Sequence, residues 1–176
     1  MNINTKNYFE IFSLAEAFQI DLDLLSREYK SLQTQYHPDK YINADDQSRL
    51  FALQTSSIVN EGFECLKSPL KRAAYLLSLH DVDAEENNQA HLGNEFLIKH
   101  IELREQLESI AENDEMEALD ILKADIEKET QGYLGQFEAL YKAQAYQTAK
   151  PIYSKLQFLY KLLREIDSVE EKLLDY

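Results

Sequence analysis

Leu25, Tyr29, Leu32 and Tyr36 step along the chain by four, three and four residues, and Pro38 stands just beyond the last of them. At about 100° per residue of an α-helix, that spacing gathers the four side chains into one apolar stripe. Asp21 lies where a side-chain oxygen can cap the first turn. Pro38 closes the segment, because proline has no backbone N–H for the helical ladder and pushes the residue before it out of the α region. A helix with such a stripe must lay it against another element, so the neighbouring sequence has to supply one.

Beyond the polar run NADDQS, with Asp45 or Asp46 as the cap, Ala52, Val59, Phe63 and Leu66 keep one helical face as far as Ser68 and Pro69. Pro69 suits the first turn of a further short helix, PLKRAAYLLSL, with Ser68 as its cap. The segment HDVDAEENNQAH, 80–91, is poor in apolar residues and reads as a linker. Three more stripes follow: Phe96, Leu103, Leu107 and Ile110; then Leu119, Leu122, Ile126, Tyr133, Phe137 and Leu140; then Ile152, Leu156, Leu159, Leu163 and Ile166. They predict three amphipathic helices in a small bundle. Between the last two helices the turn falls either at Tyr141 to Gln144, leaving Pro151 inside the final helix, or just before Pro151, which then opens it.

The expected fold is therefore all-α, and the scarcity of turn material agrees: the chain has 4 Gly and 3 Pro, too few for a β-protein with many tight connections. The expected division is 1–79 for an N-terminal helical domain, 80–93 for the linker and 94–176 for the bundle. Charge separates the two halves. Residues 1–79 hold 8 basic and 10 acidic residues, net -2, and the remaining 97 hold 10 and 22, net -12.

That balance disfavours nucleic acid, whose phosphates need a basic surface, and an anionic membrane. One cysteine makes no intramolecular disulfide. No basic and apolar leader is present in MNINTKNYFEIF, and no stretch approaches the roughly 20 apolar residues that span a bilayer. A cytoplasmic protein is expected, as a monomer or a weakly self-associating chain.

The break after the first stripe reads QYHPDK, residues 35–40. His37 beside Asp39 suits a catalytic dyad, a metal-ligand pair, a loop held for shape, or a contact offered to another protein. A catalytic site needs a convergent nucleophile and a group to stabilise developing charge, and no G-x-S-x-G, P-loop or glycine-rich nest accompanies the pair. For a metal, His80, His91 and His100 are scattered without helical ligand spacing, and a lone Cys65 on a helix is more often a small core residue. Neither a catalytic site nor a bound metal or cofactor is expected.

The tripeptide lies between a helix carrying Arg27 and Lys30 and a second, longer helix, with a short helix after that. With NYFEIF and SREYKSLQTQYHPDK, this arrangement resembles the J-domain, the module by which J-proteins engage DnaK-class ATPase chaperones. The resemblance covers about residues 7–79. It implies a helical hairpin with two short helices, and it implies that His37, Pro38 and Asp39 contact the chaperone and trigger ATP hydrolysis there. Arg27, Lys30 and Lys40 would supply the electrostatic attraction. The basic residues on the first long helix are sparse for this family, which implies weaker attraction and tuning to one dedicated chaperone.

The first bundle helix carries more apolar surface than a core stripe needs. Leu97, Ile98, Ile101, Glu102, Glu105 and Glu108 point almost opposite Phe96, Leu103, Leu107 and Ile110. This second face meets the N-terminal domain, solvent or a partner. PLKRAAYLLSLHDVD, FLIKHIELREQLE, KLQFLYKLL and EEKLLDY resemble the HscB family, J-protein co-chaperones of iron–sulfur cluster assembly. The resemblance implies that the bundle recruits the cluster scaffold IscU to an HscA-type chaperone. It places scaffold-binding positions on Leu97, Ile98, Ile101, Glu102, Glu105 and Phe158. A further acidic position of the family falls on Ser109, with Glu108 beside it. The absence of a cysteine-rich segment before Tyr8 implies the bacterial type. A general J-protein for unfolded clients and a non-catalytic helical adaptor are the competing readings.

Overall fold

A computed structural model describes residues 5–84 and 92–174. Among them are seven α-helices and no strand: α1 Tyr8–Ile11, α2 Leu22–Tyr36, α3 Asp46–Lys67, α4 Pro69–Ser78, α5 Asn94–Glu112, α6 Met116–Lys142 and α7 Tyr146–Leu174. The all-α expectation is met. The chain forms two compact units, 1–76 and 77–176.

In the first unit α2 and α3 pair as a hairpin. Asp21 caps α2, its carboxylate accepting from Leu24 N–H at 2.8 Å, and Asp45 rather than Asp46 caps α3, accepting from Ser48 N–H at 2.9 Å. Those bonds from Ser48 hold the Asp45 carboxyl below its ordinary range. The expected stripes meet: Leu25 and Tyr36 are buried, Tyr29 stacks on Phe63 at 4.0 Å, and Ala52, Val59 and Leu66 are fully enclosed. α1 closes the hairpin. Tyr8 lies over Gly62, where an added Cβ would stand 2.9 Å from Tyr8 Cδ1, so only glycine allows the approach. Arg72 of α4 is buried as well, its guanidinium donating to Leu66 O and facing the Phe18 ring.

In the second unit α5, α6 and α7 form the bundle. Leu107, Ile110, Leu119, Leu122, Ile126, Leu159, Leu162 and Ile166 make its core. The buried line of α7 runs through Ala149, Tyr153, Leu156, Leu159, Leu162 and Ile166. Ile152 and Leu163 of the expected stripe stand beside that line, half-buried, because α7 packs on both α5 and α6 and buries a wider strip than one row. Pro151 lies inside α7, which begins at Tyr146. Lys123 of α6 joins Asp167 at 2.8 Å and Glu170 at 2.6 Å on α7, which raises its ammonium pKa.

Of the expected linker, residues 85–91, including His91, lie outside the described residues. Its beginning is packed: the His80 ring stacks on Tyr146 at 3.8 Å, its Nε2 is 3.0 Å from Tyr141 Oη, and Val82 and Ala84 are buried.

Four turns close in the same way. Ser13, Asp81, Asp114 and Gln144 adopt φ of 55° to 57°. The next residue donates back five positions in each case: Leu14 to Phe9, Val82 to Leu77, Glu115 to Ile110 and Ala145 to Leu140, at 2.8 to 3.1 Å. This is the left-handed helix ending that glycine usually provides, built here without glycine.

Candidate functional sites

The first site is the break after α2. The helix stops at Tyr36, whose ring is buried and meets Phe51 edge-on at 6.0 Å. His37 is extended, with φ −61° and ψ 127°, as the residue before a proline should be. Pro38 opens a short 3-10 turn, Pro38–Tyr41, closed by Lys40 N–H donating to His37 O at 3.0 Å. Tyr41 Oη donates to Gln35 O at 3.4 Å, tying the turn back to α2.

The side chains of His37 and Asp39 are 52% and 78% exposed. His37 Nδ1 accepts from Asp39 N–H at 3.3 Å and lies 3.5 Å from the Asp39 carboxylate. The first contact joins the ring to the Asp39 backbone and the second brings it near the Asp39 side chain. Pro38 and Lys40 are exposed, as are Arg27 and Lys30 on α2. The arrangement suits a rigid, outward-facing contact, since a proline-fixed turn loses little freedom on docking.

The one cysteine, Cys65, lies near the end of α3 away from the turn. Cys65 is hydrogen-bonded to Lys71 O, and burial pushes its thiol up to about 11, so it stays protonated at neutral pH. Among the described residues no three His, Cys, Asp or Glu side chains stand together as a metal site, and no helix is long and apolar enough to cross a membrane.

The second site is the outer face of α5. Ile98 and Ile101 are 56% and 59% exposed, Leu97 is half-buried, and Glu102 and Glu105 lie in solvent. Glu108 and Ser109 are exposed as well. The inner face is fastened to its neighbours: Lys99 pairs with Glu129 of α6 at 2.6 Å and Arg104 with Glu165 of α7 at 3.3 Å. Phe158 comes from α7 and is half-buried in the seam with α5, edge-on to Phe96 at 6.1 Å and to His100 at 5.0 Å.

His100 was not expected in the core. It is 4% exposed, stacks on Phe96 at 5.7 Å, and its Nε2 is buried without a hydrogen-bond partner among the described residues. Its position four residues after Phe96 and three before Leu103 is the one sequence sign of that placement. Burial, reinforced by the Arg104 guanidinium, lowers its pKa, while Glu165 and Glu129 oppose the shift. The folded state thus holds fewer protons here than the unfolded state. The stabilisation is complete above the unfolded value of 6.5 and is lost as pH falls through the lower folded value. Urea unfolding between pH 7.5 and 5 should show a falling midpoint, and a His100→Leu variant should show a flatter profile over the same range.

Comparison with known proteins identifies the family. Residues 92–167 match the family described as the HSCB C-terminal oligomerisation domain. A co-chaperone protein HscB homolog of Vibrio atlanticus is 37% identical over 169 residues, covering 96% of this chain and 99% of that protein. One from Vibrio cholerae is 36% identical with the same coverage. The solved structure of chaperone HscB from Vibrio cholerae superposes with a TM-score of 0.88 at 36% identity, over 96% of this chain and 99% of that one. Human co-chaperone HscB shares the fold, with a TM-score of 0.86 at 24% identity over 93% and 81% of the two chains. A solvent-facing His-Pro-Asp turn in a helical hairpin, an acidic three-helix bundle and near-full-length similarity lead to one conclusion: the chain belongs to the HscB family of co-chaperones.

Proposed function

We propose that the protein stimulates the ATPase of a DnaK-class chaperone of the HscA type and recruits the scaffold IscU to it, in iron–sulfur cluster assembly and transfer. The J-domain of this proposal is residues 1–79 and the scaffold-binding bundle is 94–176. His37, Pro38 and Asp39 touch the chaperone, and Arg27, Lys30 and Lys40 attract it. Leu97, Ile98, Ile101, Glu102, Glu105 and Phe158 hold the scaffold.

The observation that carries the proposal is the exposure of Ile98 and Ile101, 56% and 59%, on a helix that continues into exposed carboxylates. Isolated exposed apolar residues are ordinary, but an apolar group on one helical face bordered by charge suits a folded partner with a basic, partly apolar surface. The exposed turn at His37 supports the chaperone half in the same way. ATP hydrolysis occurs on the chaperone, and this chain contributes contacts. Holding chaperone and scaffold together raises their effective concentration, so two weak contacts reinforce each other.

The test is chaperone ATPase measured with this protein alone, with IscU alone and with both. Stimulation by both should exceed the sum of the separate effects. Purely additive rates would remove the recruiting role and favour a general J-protein; no stimulation in any arm would favour a plain helical adaptor.

A further inference from the structure

We propose that His100 is a positioning residue for scaffold recognition: together with Phe96 it seats the Phe158 ring beside the outer face of α5, and it does so as a neutral imidazole. The inference rests on the scaffold-binding proposal above and adds a residue and a pH dependence to it. Phe96 and His100 are one turn apart on α5, and their rings are nearly parallel, 12° apart in plane, at 5.7 Å. The Phe158 ring, arriving from α7, stands at 86° to the first and 87° to the second. It meets a wall of two rings, which fixes its orientation more closely than one ring would. The wall is inside, with Phe96 and His100 at 8% and 4% exposure, while Phe158 is half-buried and keeps part of its surface in solvent. Leu97 and Ile101 follow directly on Phe96 and His100, about 100° further around the helix, so the seat and the outer face share one turn of α5.

For packing alone, imidazole is a poor choice. Its Nε2 is buried with no hydrogen-bond partner among the described residues, and a buried polar atom left unpaired lowers stability. Phenylalanine or leucine would fill the place without that loss. What imidazole offers instead is a ring for Phe158 that exists in two charge states.

Charges face the ring from all three helices: Arg104 on α5, Glu129 on α6, and Glu165 and Lys161 on α7. Lys155 of α7 lies over the adjoining Phe96 ring at 5.3 Å. Both carboxylates are engaged elsewhere, Glu165 by Arg104 and Glu129 by Lys99, and burial is the larger influence, so the neutral ring is favoured. A proton on His100 places a charge in the seam, and relief comes from moving the ring toward water, which takes the seat from Phe158. A scaffold covering Leu97, Ile101 and Phe158 buries the seam further and holds the ring neutral. Binding and protonation therefore oppose each other. Affinity is level above 6.5, the ordinary histidine value, and falls at lower pH as the free chain takes up the proton.

The test is calorimetric titration of the full chain with IscU between about pH 7.5 and pH 5. His100→Phe keeps a ring and cannot titrate. It should bind within about twofold of wild type at the upper pH, and the ratio of its affinity to that of wild type should then grow by about twofold or more toward the lower pH. Taking that ratio removes any titration of IscU itself. His100→Leu removes the ring, so it should bind about fivefold more weakly at the upper pH although its urea midpoint is no lower than that of wild type. Added to Phe158→Ala, the same substitution should cost nothing further, because the ring it seats is gone. Identical pH profiles for wild type and His100→Phe overturn the positioning role, as does a His100→Leu penalty that is the same with and without Phe158; either result leaves scaffold binding standing. If circular dichroism shows His100→Leu misfolded, the comparison of wild type with His100→Phe decides alone. Absence of IscU binding by wild type at every pH overturns the scaffold proposal itself.

Discussion

A His37→Gln variant should lose at least about thirtyfold in chaperone ATPase stimulation, equivalent to about 2 kcal/mol of interface energy. The same protein should unfold within about 0.5 kcal/mol of wild type, because the side chain is exposed and its contacts among the described residues are with Asp39. IscU binding should be unchanged, since no residue of the α5 face is altered. The physical reason lies in the turn. The extended backbone at His37 and the proline after it present imidazole and carboxylate together on an exposed turn. Gln keeps size and polarity but loses the ring and its switch between donor and acceptor roles. The checking measurements are a steady-state ATPase titration, a urea melt and IscU affinity. Full stimulation by the variant would sink the trigger role and favour the helical-adaptor reading.

Leu97→Ala/Ile98→Ala/Ile101→Ala should produce the complementary loss. Ile98 and Ile101 are more than half exposed in the unbound chain, so most of their transfer free energy is still available for binding. Three truncated aliphatic side chains at an interface centre are worth about 3–4 kcal/mol together, or between a hundredfold and a thousandfold in IscU affinity. ATPase stimulation without scaffold should persist, because the His37–Asp39 turn is untouched. Leu97 is half-buried, so part of the effect will appear as lower bundle stability, and an Ile98→Ala/Ile101→Ala pair separates the two contributions. Calorimetric titration with IscU gives the affinity directly. Wild-type affinity in the triple variant would mean that the scaffold docks elsewhere.

Much of this was legible in the sequence because helices announce themselves by period. The Leu25 to Tyr36 stripe, the cap at Asp21 and the stop at Pro38 each follow from local chemistry and are present, while the sequence left the next cap open between Asp45 and Asp46 and packing chose Asp45. The outer face of α5 was legible for a related reason: one helix in a bundle has too few neighbours to cover two opposite apolar faces. What stayed hidden depends on tertiary packing. Nothing local to His100 says that Phe96 and Phe158 enclose it. Pro151 would ordinarily argue for a helix start, since an internal proline costs about 3 kcal/mol. α7 nevertheless runs through it, with Ala149, Tyr153 and Leu156 buried on either side to offset that loss. The assignment of Phe158 to the scaffold face likewise rests on family resemblance. Its edge-on contact with α5 explains how a residue of α7 reaches that neighbourhood, and spacing alone left it at the margin of the core.

The four glycine-free turns at Ser13, Asp81, Asp114 and Gln144 give this chain an unused margin for evolution or design. A side chain in the left-handed region costs about 1 kcal/mol, and each turn already has the backbone hydrogen bond that glycine would make. Thermal adaptation could therefore proceed by exchanging these residues for glycine. None of the four belongs to the surfaces proposed for chaperone or scaffold, so on that proposal heat tolerance and partner choice can change independently.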